Sequence, residues 1–173
     1  MPASKKRLTI FRGSDATPLG PEVMVTAPMD GAMQARLARL AGAGVKAGLG
    51  EKNLVLFREP GEQGMSLVYV WFKSGYPLPP HSHDVDCLYY VLAGELLIGG
   101  QTLQPGDGMF VPAGTGYTYE AGANGVEVLE FRNATRFNIA LKGTDQLWDN
   151  ITAVFRSRAA AWQAETIPPS KRK

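Results

Sequence analysis

The chain contains two histidines, and they lie close together at His81 and His83. In a β-strand, residues two positions apart point to the same side, so both imidazoles are expected to project into one space. A strand can in this way supply two neighbouring ligands to one metal ion. Because imidazole binds zinc, iron, nickel, copper and manganese alike, the pair predicts a divalent transition metal without identifying it. The alternative is that two structural histidines lie together by chance.

The elements that must position these histidines are predicted to be short strands. From residue 53 onward, runs rich in Val, Leu, Tyr and Phe alternate with Gly and Pro, and the chain has 20 Gly and 12 Pro in 173 residues. This pattern is typical of an all-β barrel or sandwich. Strands are predicted over 53–58, 65–73, 88–92, 95–98, 108–111, 126–131 and 135–141.

The segments on either side of the predicted barrel are expected to contain only a few short elements. Short strands are predicted at 8–11 and 22–26, and helices over 29–43 and 145–163, where apolar residues recur at helical spacing. We divide the chain into an N-terminal arm with a short helix (1–52), a β-barrel (53–141), and a C-terminal helix with a basic tail (142–173). Residues 170–173 are expected to be disordered. All three segments form one domain.

Composition excludes several classes of protein. The formal net charge is +2, and apart from small clusters at Lys5–Arg7 and near the C-terminus the basic residues are scattered, so a nucleic-acid partner is not expected. No stretch resembles a signal peptide or approaches the roughly 20 apolar residues of a membrane span. The single cysteine, Cys87, allows no intrachain disulfide. A cytoplasmic location is therefore expected.

Two spaced motifs resemble those of the cupin family. The first family motif, G(X)5HXH(X)3–4E(X)6G, matches Gly75, His81, His83 and Gly94, with Cys87 in the place of the glutamate. The second, G(X)5PXG(X)2H(X)3N, matches Gly106, Pro112 and Gly114, with Tyr117 and Ala121 in the places of the histidine and asparagine. The resemblance covers roughly residues 53–132. It implies a cupin-type double-stranded β-helix, also called a jelly-roll barrel.

The resemblance also implies a metal site at the barrel. Carried over residue by residue, it makes His81 and His83 metal ligands and offers Cys87 and Tyr117 for the remaining positions. In one interpretation Cys87 coordinates as a thiolate, which suits zinc, iron or copper. In the other, two histidines alone hold Fe, Zn, Mn or Ni weakly or not at all, and the pocket binds its ligand by packing and hydrogen bonds. Like cupin barrels in general, the chain is expected to form a homodimer through sheet edges and its N-terminal arm.

Strand alternation extends the predicted site. Tyr89 and Val91 share the face of the two histidines, and Tyr119 shares the face of Tyr117. On the strand before the first motif, one face carries Val68, Val70 and Phe72. This face is predicted to point into the core. The predicted pocket residues are Phe72, Tyr89, Val91 and Tyr119. Such a pocket is aromatic and Val-rich, which favours a small, mostly apolar or aromatic ligand.

The segment 126–132 carries a glutamate on each face, and a buried carboxylate needs a partner or a raised pKa. Glu130 is either paired with Arg132, which lies on the same face, or it supplies an anionic ligand or a general base, a role that Glu127 could also take. Tyr117 and Glu130 are accordingly the candidate catalytic residues.

Three functions remain open at this point. The first is a metal-dependent, dioxygenase-like cupin enzyme, or an isomerase or lyase, acting on a small organic molecule. The second is a non-catalytic binding or sensing protein that uses the same pocket. The third is a structural barrel whose role is subunit association. A fold by itself does not choose among them.

Overall fold

The computed structural model describes residues 8–42, 48–61 and 63–172. It consists mainly of β-structure, with two α-helices and two short 3-10 helices. The strands are β1 (Thr17–Pro18), β2 (Met24–Thr26), β3 (Glu51–Arg58), β4 (Gln63–Phe72), β5 (His81–Ser82), β6 (Cys87–Ile98), β7 (Gln101–Leu103), β8 (Gly108–Val111), β9 (Glu120–Ala134) and β10 (Phe137–Leu141). The helices are α1 (Gly31–Gly42) and α2 (Asp145–Ala164).

The strands form a large and a small sheet. The large sheet has the order β1-β3-β4-β9-β6-β7, with β8 also paired to β6, and the small one has the order β2-β10-β5. All pairings are antiparallel except that of β10 with β2. The predicted mostly-β architecture of the jelly-roll type, with an N-terminal and a C-terminal helix, is confirmed.

Strand β6 joins two segments that the sequence predicted as separate strands, 88–92 and 95–98. Gly94 lies between them with a φ of 77°, a conformation that glycine adopts without steric cost. The pairing of β6 with β9 shifts register on both sides of this glycine. The interruption is therefore a bulge within one long strand, and not a turn between two.

The core lies on one face of the large sheet. Along β6, Cys87, Tyr89 and Val91 are buried and alternate with exposed residues, as the period of two requires. On the neighbouring strands the predicted inward set, Val68, Val70 and Phe72, is also buried. The face that carries the histidines is therefore the interior of the barrel.

Helix α2 closes one side of this core. Thr144 caps its N-terminus by accepting a hydrogen bond from the backbone N–H of Leu147. Trp148, Ile151 and Trp162 are buried on one stripe of the helix, and the indole N–H of Trp162 donates to the carbonyl of Ser74. Within the described ranges, neither helix has the length and apolar content that crossing a bilayer requires.

The N-terminal arm differs in detail from the prediction. Residues 8–11 form no strand, and the predicted end of helix α1 at Ala43 lies outside the described residues, as do residues 5–7. Strands β1 and β2 pair with β3 and β10 of the same chain. The arm thus extends both sheets within one molecule.

The C-terminal segment is ordered where disorder was predicted. Residues Pro169–Lys171 form a 3-10 helix, and the Ser170 N–H and hydroxyl donate to the two carboxylate oxygens of Glu127. Arg172 pairs with Glu165 at 2.6 Å. The disorder prediction failed because it considered only the charge of the tail, whereas buried Glu127 supplies an acceptor for it. Lys173 lies outside the described residues.

Candidate functional site

The two histidines lie side by side in the barrel interior. His81 begins β5, where it pairs with Leu141 of β10, and it also forms an isolated bridge with Tyr117. His83 follows the strand, and its carbonyl accepts a hydrogen bond from Gly114 in the turn of the second motif. The ring centroids are 4.8 Å apart, and the two residues are only 3% and 6% exposed.

Backbone carbonyls fix the tautomer of both rings. Nδ1 of His81 lies 2.8 Å from the carbonyl oxygen of Pro79, and Nδ1 of His83 lies 2.5 Å from that of Asn138. Because a carbonyl oxygen can only accept, each Nδ1 must carry the proton. In the neutral ring the lone pair is then on Nε2, so each histidine presents an acceptor to the interior.

Burial keeps these imidazoles neutral. Loss of hydration lowers the pKa of His81 to about 4, and the hydrogen bond to Pro79 opposes this shift only in part. Loss of hydration also lowers the pKa of His83 to about 4, with a further contribution from the nearby positive charge of Arg132. At neutral pH both rings are uncharged acceptors.

Tyrosine hydroxyls extend the polar network from His81. The hydroxyl of Tyr117 donates to Nε2 of His81 at 2.9 Å and is itself in a short hydrogen bond with the hydroxyl of Tyr89. Burial raises the pKa of both tyrosines, and the charge of Glu130 adds to this effect. The tyrosines therefore remain protonated donors at neutral pH.

Glu130 and Arg132 form an ion pair inside the barrel. They project from β9 on the same face, and Nη2 of Arg132 lies 2.8 Å from Oε2 of Glu130. The same Nη2 lies 3.4 Å from Nε2 of His83. Burial acts to lower the pKa of Arg132, but Glu130 together with Tyr89 and Cys87 raises it by more, so the guanidinium stays charged. Of the two roles considered for Glu130, pairing with Arg132 is the one seen.

Apart from Tyr117, these groups line a small cavity of about 70 Å³. Of the predicted pocket residues, Phe72 and Tyr89 are among its walls, whereas Val91 and Tyr119 lie in the surrounding core. The other lining residues are Leu19, Met24, Glu51, Asn53, Val70, Leu78, His81, His83, Glu130, Arg132 and Ile139.

The cavity is more polar than the sequence indicated. Strand β3 contributes Glu51 and Asn53, which were not predicted, and Asn53 Nδ2 donates to Oε2 of Glu51. Burial raises the pKa of Glu51. The alternation of side chains along β3 could have identified both residues. Glu51 and Asn53 lie four and two positions from buried Val55, so they share its face of the strand. The cavity contains the aromatic and Val residues that the sequence indicated, such as Phe72 and Val70, but the prediction missed the polar groups of β3.

Cys87 behaves as a buried apolar residue. It is 1% exposed and belongs to the core cluster. Burial raises the pKa of its thiol to about 12, although the charge of Arg132 opposes this. A protonated thiol in such surroundings is a poor metal ligand, since the thiolate is the coordinating form.

Glu127 lies on the opposite face of β9 and away from the cavity. Its carboxylate accepts a hydrogen bond from the hydroxyl of Tyr69 at 2.6 Å, in addition to those from Ser170. The residue is buried beneath the C-terminal segment. These hydrogen bonds satisfy the buried carboxylate of Glu127, so its burial does not require a role in the site.

The side chains present do not form a complete metal site. His81 and His83 supply two lone pairs, but Tyr117 donates to one of them and the positively charged Arg132 lies against the other. Across the described parts of the chain, no three His, Cys, Asp or Glu side chains come together as metal ligands would. The arrangement fits an ordinary cupin metal centre only in its two imidazoles.

Comparison with known proteins finds similar solved structures. No protein-family model matches the chain, and no curated protein matches it. Solved structures do. KdgF from a Halomonas species is 24% identical over 53% of this chain and 84% of its own, with a TM-score of 0.46. An RmlC-like cupin from Shewanella frigidimarina is 24% identical over 53% of this chain and 81% of its own, with a TM-score of 0.44.

The chain has a mostly-β fold of the jelly-roll type, and the solved structures similar to it include a cupin. A third similar structure, a salicylate 1,2-dioxygenase variant from Pseudoaminobacter salicylatoxidans in complex with gentisate, is 17% identical over 65% of this chain and 35% of its own, with a TM-score of 0.46. The resemblance inferred from the two motifs is thus confirmed for the fold. At these identities the likeness concerns the fold alone.

Proposed function

We propose that this cupin binds a small organic molecule in its barrel cavity and needs no resident metal to do so. The observation that carries the proposal is the set of polar groups converging on that cavity: His83, Tyr89, Asn53, Glu130 and Arg132. Small-molecule sites typically combine an enclosed apolar wall with a few fixed polar groups. The apolar part here comes from residues such as Val70 and Phe72.

The binding can be tested with a matched pair of variants. Met24 lines the cavity, whereas Met65 is exposed on the outer surface. A library of compact organic molecules is screened by saturation-transfer NMR against the wild type, Met24→Trp and Met65→Trp, with folding checked by circular dichroism. We expect the bound molecules to lose their signal in Met24→Trp and to keep it in Met65→Trp. Equal binding to both variants, or no binding to the wild type, would contradict the proposal.

A metal-dependent cupin enzyme is the second candidate. It is favoured by one specific observation, the tautomers that leave Nε2 of both His81 and His83 unprotonated. A divalent Fe, Zn, Mn or Ni ion bound there would supply Lewis acidity or oxygen activation for dioxygenase, isomerase or lyase chemistry. In such an enzyme, the Tyr117 hydroxyl and the Glu130 carboxylate would be the proton-transferring groups nearest the histidines, and Cys87 would have to become a thiolate to be a third ligand.

Metal analysis separates the two candidates. Protein purified without a His-tag is incubated with Zn²⁺ or Fe²⁺, desalted and compared with a His81→Ala/His83→Ala double variant. We expect a metal content well below one ion per chain that is the same in both proteins. One ion per chain in the wild type that is lost in the double variant would overturn the metal-free proposal. Loss of that ion in Cys87→Ser would further assign the thiol as a ligand.

We also propose that the chain forms a homodimer in the cytoplasm. The location is supported by the single, buried, unpaired cysteine. The dimer is supported by an apolar surface on the outside of the large sheet, opposite the cavity. This outer apolar face consists of Met65, Leu88, Tyr90, Leu92, Phe110 and Phe131, which are between 39% and 61% exposed. Large exposed apolar faces usually mark contacts with another molecule.

A further inference from the structure

Arg132 has hydrogen-bonding capacity that the protein does not use. Its Nη2 contacts Glu130 and His83, but Nε and Nη1 are buried and have no partner. A guanidinium has five N–H donors, and buried donors without an acceptor are rare and destabilising. The residue is 3% exposed and borders the cavity. An acceptor brought by a bound molecule would account for these donors.

The guanidinium is held in place before any ligand arrives. It lies 4.0 Å above the ring of Phe137, which is itself buried. The backbone of Arg132 is paired on one side with Ser66 of β4 and on the other with Cys87 of β6. A charged group fixed in this way loses little conformational entropy on binding, which favours affinity.

We propose that the ligand of this cavity is a compact hydroxy acid whose carboxylate is bound by Arg132. This inference rests on the proposed function, since it specifies the occupant of the same cavity. Arg132 is suited to a carboxylate because its planar N–H donors form charge-assisted hydrogen bonds with carboxylate oxygens. Glu130 contacts only Nη2 and leaves the other nitrogens open.

A second buried group without a hydrogen-bond partner indicates that the ligand also carries a hydroxyl. Oδ1 of Asn53 is buried without a hydrogen-bond partner, and Asn53 lines the cavity. Its orientation follows from Nδ2, which donates to the carboxylate of Glu51 and so leaves Oδ1 as an acceptor. An acceptor of this kind is matched by a hydroxyl donor on the ligand.

The size of the cavity limits the ligand to a few atoms. Its volume is about 70 Å³. An apolar cavity of about 150 Å³ holds a benzene molecule, so this space suits a molecule of roughly half that size. Glycolate, the smallest hydroxy acid, is therefore the probe of choice, and its amide, glycolamide, is a neutral control of nearly the same shape.

The decisive experiment compares these two compounds on the full chain. Affinities are measured by isothermal titration calorimetry, and the Nε–H signal of Arg132 is followed by ¹⁵N NMR. We expect glycolate to bind at least tenfold more tightly than glycolamide and to shift this signal. Equal affinities, no binding of glycolate, or an unmoved Arg132 signal would overturn the inference. Binding of neutral compounds in the cavity would then leave the proposed function standing with a different ligand.

A matched set of variants tests the role of Arg132. Arg132→Met is combined with Glu130→Gln, so that neither charge is left buried without its partner. Arg136→Met, which removes the same side chain from an exposed position four residues away, is the control. We expect the double variant to lose glycolate binding by at least tenfold and the control to stay within twofold. Unchanged glycolate affinity in a folded double variant would contradict the proposed contact.

Discussion

At the scale of single residues, the polar side chains of the cavity are held by contacts from distant segments. Nδ1 of His83 donates to Asn138, and Arg132 lies over Phe137, so β10 orients both residues. Both histidines are buried, and the loss of hydration strongly disfavours their charged forms. This has a direct consequence for the stability of the protein in acid.

We predict that the metal-free protein loses stability as the pH falls from about 6.5 to about 4. In the folded state the pKa of each histidine is lowered to about 4, from an ordinary value of 6.5. The unfolded chain therefore binds more protons in this interval, and the free energy of unfolding must decrease as the pH falls. Each histidine contributes a loss of about 3 kcal/mol at most. Urea unfolding at a series of pH values, with EDTA present, measures the slope.

A His81→Gln/His83→Gln variant is the control for this slope. Glutamine does not titrate, so the part of the pH dependence that comes from the histidines should vanish, even if the variant is less stable overall. A slope between pH 6.5 and 4 that is the same in the variant would mean that other groups cause it.

At the scale of elements, strand β6 carries much of the barrel, because it pairs with β7, β8 and β9. Its bulge at Gly94 brings the backbone against the next strand. A Cβ atom at this position would overlap the carbonyl oxygen of Gly125. Because backbone atoms cannot move aside as side chains can, Gly94 is required for steric reasons as well as for its φ of 77°.

We predict that Gly94→Ala destabilises the protein by about 3 kcal/mol or more, which exceeds the roughly 1–2 kcal/mol expected from positive φ alone. Gly99→Ala is the matched control, because Gly99 has a φ of 57° and nothing near its Cβ position. Denaturant unfolding of both variants gives the comparison. Equal losses would show that φ strain, and not the contact with Gly125, accounts for the effect.

At the scale of the whole molecule, the two faces of the large sheet differ: the inner face carries the core and the cavity, and the other carries the outer apolar face. The strands that bury Tyr89, Glu130 and Arg132 expose Leu88 and Phe131 on their other side. Alternation along the strands therefore generates the cavity and the outer apolar face together. Strands β1 and β2 already pair within the chain, so the outer face is a better dimer contact than an exchanged arm.

We predict that Leu88→Glu combined with Phe110→Glu converts the proposed homodimer to a monomer. These residues are 50% and 61% exposed and lie opposite each other on β6 and β8, so paired carboxylates would place like charges within the interface. Light scattering coupled to size exclusion at micromolar concentration measures the mass. Ile167→Glu, at a residue 53% exposed outside the face, should leave the dimer intact. A monomeric wild type would rule out the dimer.

The sequence by itself determined the features that depend on local periodicity and spacing. Alternation on β6 identified Cys87, Tyr89 and Val91 as inward residues, and the glycine, proline and histidine spacings of two motifs identified the fold. Helix α2 followed from its apolar stripe, with its C-terminus misplaced by one residue. These features are predictable because each is set within a single strand, turn or helix.

Only the tertiary structure decided what the inward side chains contact. Strand pairing brought Glu130 and Arg132 beside His83 and added Asn53 from β3, which made the predicted aromatic and Val-rich cavity more polar. It also buried Cys87 as a neutral thiol and ordered the C-terminal segment on Glu127. The physical reason is that hydrogen-bond partners and desolvation depend on groups far apart in the chain. Periodicity specifies the face on which a side chain lies, but not its neighbours there.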